Sequence, residues 1–286
     1  MTHTHPQTSP PGHHRHDVDG QAEILDLDAQ VLAEHTAALA RWLPVQEPPG
    51  RIVDLGCGTG AGTFTLLDRF PGAHITAVDI SAGHLQRLRE KARARGVEEH
   101  VRTVQADLDE ADWPDLGAPD LVWASASLHH AAHPDRALRH VHDLLPPGGL
   151  FAVVELSGFP RFLPEDAPED RPGLEERCHE ASSRLHAEHV PHRGADWGLK
   201  LVEAGFAVEG ELTVAVNIPG SDNKAVGAYA LGSLQRMRRS VADALPAEDL
   251  AAIDRLLDIG GAHSILRRDD LAVRTERTVW AARRTA

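Results

Sequence analysis

The sequence predicts a doubly wound α/β domain built on a mostly parallel sheet. Two observations carry that expectation. From Gly50 to Leu156 short β-type runs (RIVDL, HITAVDI, VRTVQA, DLVWAS, LFAVVEL) alternate with stretches of helical periodicity. The runs are also apolar almost throughout, as strands covered by helices on both faces must be. With 286 residues, 42% hydrophobic and 25% charged, the chain has ample material for a closed core.

The elements follow in order. Residues 1–19 hold His3, His5, His13, His14 and His16 among Pro, Thr and Gly, with almost nothing apolar to bury, and are expected to be a disordered tail. Residues 20–49 form a helical cap, because Ile24, Leu25, Val31, Leu32, Leu39, Trp42 and Leu43 recur at helical spacing before Pro44. In the core, residues 50–156, Ser81 caps a helix on Leu85, Leu88 and Ala92, and Pro134 opens one on Leu138, Val141, Leu144 and Leu145. Residues 157–286 return to the sheet through FAVEGELTVAV and RTERTVWAARR. Two helical insertions, about 157–205 and 219–270, interrupt that return and are expected to wall a substrate pocket. Trp42, Phe159, Phe162, Trp197 and Tyr229 are its candidate wall residues.

Composition excludes several functions. A net charge of −14 repels phosphate backbones, so nucleic acid is not an expected partner. No apolar run reaches the roughly 18 residues of a membrane span, and the N-terminus lacks the layout of a signal peptide. Two cysteines, Cys57 and Cys178, make no disulfide framework and fit a reducing cytoplasm. No metal site is expected. His186, His189 and His192 are three apart, but Pro191 interrupts their helix and no carboxylate converges on them.

The chemistry concentrates where strands end. VDLGCGTG, Val53 to Gly60, follows a β-run and precedes a helix, so its glycines let backbone approach a ligand beside free helix N–H groups. Gly56, Gly58 and Ala61 also satisfy GxGxxG/A, which leaves an NAD(P)-dependent oxidoreductase open. Asp79 ends the second strand, where a carboxylate can accept from ribose hydroxyls. Asp107 and Leu108 follow the third, placed to meet an adenine. The fourth strand runs into ASASLHH, and Pro146 to Gly149 turn the chain into the fifth. His129, His130 and Glu155, near the same edge, are candidate general bases, with His130 preferred. Arg236, Arg238 and Arg239 are a candidate anion clamp, whereas Arg87, Arg89, Lys91, Arg93 and Arg95 read as a solvated helix face.

In their order and spacing DLGCGTG, VDIS, ADL, the SLHH turn and LLPPGG resemble the class I S-adenosylmethionine-dependent methyltransferases, in the branch of small-molecule and quinone-type enzymes. The resemblance covers Gly50 to Leu156. It implies a Rossmann-like sheet with an antiparallel last strand and S-adenosyl-L-methionine as cofactor. It assigns Asp54 and Gly56 to the amino acid end of that cofactor, Gly58 and Gly60 to its backbone-lined channel, with Cys57 as a packing residue of the same cofactor-binding loop, and Asp79 to the ribose. Ile80, His84, Asp107 and Leu108 go to the adenine, and Ser125 to the methionine moiety. The acceptor is expected to be a small molecule, a natural-product intermediate or a peptide terminus among them. A non-catalytic cofactor-binding module is the further alternative, and monomer and homodimer are both compatible with the sequence.

Overall fold

The computed structural model describes residues 11–186 and 192–285. Its seven-stranded sheet has the order β3-β2-β1-β4-β5-β7-β6. The strands are β1 Arg51–Leu55, β2 His74–Asp79, β3 Val101–Gln105, β4 Leu121–Ser125, β5 Leu150–Leu156, β6 Phe206–Pro219 and β7 Ala272–Arg284. The first five run parallel, and β7 lies antiparallel between β5 and β6. The mostly parallel sheet with an antiparallel last strand is as expected.

Helices cover both faces. Alternate residues of β1 point to opposite sides, so Ile52 packs with α2 (Ala33–Trp42), α3 (Ala61–Arg69) and α4 (Ala82–Ala94). Val53 and Leu55 pack on the other side with α5 (Pro134–Leu144) and α7 (Trp197–Glu203). Because every parallel strand ends at one edge, Leu55, Asp79, Gln105, Ser125 and Leu156 deliver their following loops to the same rim.

A third apolar cluster lies apart from these two. It joins Val31 and Leu32 of the N-terminal segment, Phe162 and Leu163, α6 (Leu174–His186), α8 (Ala225–Ser240) and α9 (Ala247–Leu257) to the outer ends of β6 and β7. The insertions therefore bury their own apolar faces as a packed cap. Of the expected tail, residues 1–10 lie outside the described residues, and α1 spans Pro11–Val31. The helical cap expected over 20–49 holds two helices, α2 and the C-terminal part of α1, meeting at Leu32. No helix among the described residues is long and apolar enough to cross a membrane.

Candidate active site

The glycine loop between β1 and α3 is shaped by what glycine lacks. Gly56 has φ +66°, and a Cβ there would stand 2.3 Å from the Ser127 Cβ. Gly60, at φ +100°, would drive a Cβ to 2.7 Å from the Phe64 ring. Side chains at either position would push the loop off the β4 turn or off α3. Ser127 locks the same junction by donating from its hydroxyl to the Leu55 carbonyl at 2.9 Å. Ala126 beside it holds φ +51°, a left-handed conformation costly for a residue with a Cβ. Its N–H donates to the Val154 carbonyl, which fixes the turn against β5.

Asp79 binds this loop to α4. One carboxylate oxygen accepts from the Gly58 N–H at 2.8 Å; the other accepts from the Ser81 N–H at 2.8 Å and meets His84 Nδ1 at 3.3 Å. A carboxylate offers about four lone-pair directions. Two ribose hydroxyls would take the last one and displace the long His84 contact. His84, in the first turn of α4, is 7% exposed, and its Nε2 has no hydrogen-bond partner among the described residues. Ile80, by contrast, is 61% exposed at the strand end, an apolar surface suited to a flat heterocycle. Asp107 accepts from the Asp109 N–H at 2.9 Å, and Leu108 is half-buried beside it.

Asp54 and Cys57 face inward. The Asp54 carboxylate is buried and accepts from the Thr63 hydroxyl at 2.6 Å, which fixes the first turn of α3. Burial, and after it the charge of Asp79, raises its pKa to about 7 against the pull of Thr63. The folded protein therefore keeps a proton that the unfolded chain releases near the ordinary 3.8. The stability this proton contributes is complete below that value and is lost as pH rises to about 7. Asp54→Asn should flatten that part of the profile, raising stability at about pH 8 by on the order of 2–4 kcal/mol relative to its effect at about pH 4. Denaturant titrations of both proteins at the two pH values check this. Cys57 is buried, its thiol pushed well up by desolvation, and its N–H donates to Val78, so it is a packing residue of the loop.

The β4 and β5 ends supply the acid-base groups. Glu155 is buried and accepts from the backbone N–H of Leu128 at 2.9 Å and of His129 at 3.3 Å. Its other oxygen meets His129 Nδ1 at 2.5 Å. That contact fixes the orientation of the His129 ring against the carboxylate. The His130 ring lies 4.2 Å from that of His129, tilted 42° to it, with part of the residue exposed. Its pKa is lowered to about 4, by desolvation first and then by His129, Arg193 and Arg236. Ser125, half-buried, ends β4 at this rim. Asp109 braces the turn beyond, accepting from the Ala132 and His133 N–H groups at 2.8 and 2.9 Å.

Several functional contacts carry no sequence signal. Leu25 of α1 reaches to 3.4 Å from where a Cβ of Gly58 would be, so α1 lies over the glycine loop. Asp26 beside it pairs with Arg87 and Lys91, and Lys91 also donates to the Thr59 carbonyl at 3.0 Å. Arg87 and Lys91 are thus clasps for α1, a correction to their reading as a solvated face. Two residues on, Asp28 accepts from the Tyr229 hydroxyl at 2.6 Å and from Arg277 at 2.8 and 3.0 Å. The candidate wall aromatics separate. Trp197 is buried in the sheet core, Phe162 and Tyr229 pack edge to face inside the cap, and Trp42 lies against Gly210 on the far face. Phe159 alone is exposed, at 40%. In the arginine trio, Arg238 is held by Asp254, whereas Arg236 stands exposed within electrostatic reach of His130. His189 lies outside the described residues, and no group of metal-ligating side chains occurs among the described ones.

Comparison with known proteins agrees with this geometry. Residues 53–151 match the family model described as a methyltransferase domain. The chain is 42% identical over 104 residues to trans-aconitate 2-methyltransferase of Paracidovorax citrulli, covering 36% of this chain and 37% of that protein. It is 35% identical over 194 residues to malonyl-[acyl-carrier protein] O-methyltransferase of Halorhodospira halophila, covering 67% and 60%. The chain thus spans between about a third and three fifths of these relatives' lengths. The YcgJ protein of Bacillus subtilis shares the fold at a TM-score of 0.55 and 17% identity, covering 88% of this chain and 99% of that one. The glycine loop lies inside the matched domain. Over residues 53–151 the chain carries a methyltransferase domain.

Proposed function

We propose that the protein transfers the methyl group of S-adenosylmethionine to oxygen, nitrogen or carbon of a small organic acceptor held under the cap. The observation that carries this is the convergence, on one rim, of the Asp79 and Gly58 cradle with the buried His129 and Glu155 pair and the open His130. The family match supports the cofactor half. The relatives named for trans-aconitate and malonyl-[acyl-carrier protein] support a metabolite-sized acceptor. The net charge of −14 speaks against nucleic acid.

The residues divide the work. Asp79 would take the ribose, Ile80, Asp107 and Leu108 the adenine, and the loop from Gly56 to Gly60 with Ser125 the methionine end. The cofactor supplies an electrophilic methyl on a sulfonium, so the chain's task is to aim a nucleophile along the S–C axis and keep water out. Glu155 fixes His129, and the His129 ring packs at a tilt against His130. His130, neutral above about pH 4, accepts the proton of a hydroxyl or ammonium acceptor. Leu25 and the α1 clasps close the cofactor side.

Mass spectrometry of metabolite mixtures incubated with protein and S-adenosylmethionine tests the proposal, a product heavier by one CH2 being the expected result. Formation of S-adenosylhomocysteine with no methylated product would count against it. With an acceptor in hand, His130→Ala should lower kcat by about 100-fold or more while S-adenosylhomocysteine affinity stays within about twofold. The acid limb of the wild-type rate profile should fall near pH 4, below the ordinary histidine value of 6.5. Equal losses in rate and cofactor affinity would make His130 a structural residue.

A further inference from the structure

The seven-stranded sheet ends on β6, whose second edge has no strand beside it among the described residues. At 14 residues β6 is far longer than the usual strand of about 5–6, so this edge presents a long row of unpaired backbone N–H and C=O groups. Open edges are ordinarily blunted by lysines, by a proline within the strand or by a bulge. The β6 run FAVEGELTVAVNIP has no Lys or Arg, and its proline is its last residue. Its bulge lies near the start, between Val208 and Gly210, and from Gly210 onward the register with β7 is unbroken.

Two properties make that regular stretch complementary to itself. On one face Leu212, Val214 and Ile218 only partly reach the apolar clusters and stay half-buried. On the other, Glu211, Thr213, Ala215 and Asn217 are exposed. Glu209 is held by Arg283 at 2.8 and 2.9 Å, which leaves Glu211 as the strand's one charge without an ion pair among the described residues. Residues directly opposed in an antiparallel pair share a face. A twofold axis at Val214 therefore sets Leu212 against Val216, Thr213 against Ala215 and Glu211 against Asn217, each of a second copy. The apolar row of one copy then continues into that of the other, and no two carboxylates meet. That last point matters in a chain of net charge −14, whose surfaces mostly repel a copy of themselves.

We infer that two copies of this chain associate through β6, antiparallel about Val214, so that one sheet runs through both. The interface is isologous, each copy offering the same strand. Val214 is paired in register with Arg277, whose guanidinium holds Asp28 of α1, so the association also braces the strand pair that anchors the helix over the glycine loop. It needs neither a particular acceptor nor the chemistry proposed at the rim.

Sedimentation equilibrium of the full chain across the micromolar range should show a monomer–dimer equilibrium. Asn217→Glu places a carboxylate opposite Glu211 on both sides of the axis and should weaken the dimer by about tenfold. Adding Glu211→Lys to that variant makes both pairs attractive and should restore the wild-type constant. Asn217→Lys alone, which meets Glu211 with the opposite charge, should tighten the dimer. All three variants should keep the wild-type near-ultraviolet circular dichroism, because positions 211 and 217 are exposed. A wild-type protein that stays monomeric would overturn the inference. So would a dimer indifferent to Asn217→Lys and Asn217→Glu, or one that the added Glu211→Lys does not restore.

Discussion

Gly56→Ala should be the most damaging single methyl group in this protein. The native φ of +66° costs an L-residue about 1–2 kcal/mol, and the added Cβ would stand 2.3 Å from the Ser127 Cβ and 2.9 Å from its hydroxyl. Neither neighbour can yield cheaply, because Ser127 is tied to Leu55 and its turn is held by Ala126 against Val154. Adding about 1–3 kcal/mol for overpacking gives a total loss of roughly 2–5 kcal/mol of stability. If the loop moves to relieve the clash, it breaks the Gly58 to Asp79 hydrogen bond and cofactor affinity falls by about 100-fold or more. Ser127→Gly in the same chain removes the obstructing side chain and should recover most of the steric part, leaving the backbone cost. Denaturant midpoints and S-adenosylhomocysteine titrations of the three proteins measure both terms. A Gly56→Ala protein as stable and as tight-binding as the parent would mean that the loop has another conformation in solution.

Asp79→Ala should be nearly as costly to binding and less so to folding. The substitution removes the acceptor for Gly58, for Ser81 and for two ribose hydroxyls at once. Losing charged acceptors to the ribose weakens binding by about 2 kcal/mol or more, at least 30-fold. Asp79→Asn is an instructive companion. All three protein groups around this carboxylate are read as donors, so an amide must turn its own NH2 toward one of them. The Asn variant should therefore also bind poorly, although it is nearly isosteric. Cofactor affinity retained in Asp79→Ala would place the ribose elsewhere and take the assignment of β2 with it.

The parallel sheet and the cofactor rim were readable from the sequence because both are local signals. Apolar strands, glycines at fixed offsets and acidic residues at strand ends each follow from backbone geometry within a few residues. The lid was not, since its contacts join Asp26 to Lys91, 65 residues away, and Asp28 to Arg277, 249 away. No periodicity marks such pairs, and Lys91 in isolation looks like any other exposed cation on a helix. The wall aromatics misled for a related reason. Large rings sink into whichever core is nearest, so Trp197 and Phe162 became packing residues, and only Phe159, paired with a cation, stayed at the surface.

Every proposed role at the rim depends on which cofactor it binds. Purified protein titrated calorimetrically with S-adenosylmethionine and S-adenosylhomocysteine, with NAD and NADP run beside them in the same buffer, should bind the two sulfur compounds at micromolar levels and neither dinucleotide. Binding of a dinucleotide, or of none of the four, would contradict the assignment of Asp79, Ile80 and the glycine loop on which the rest depends.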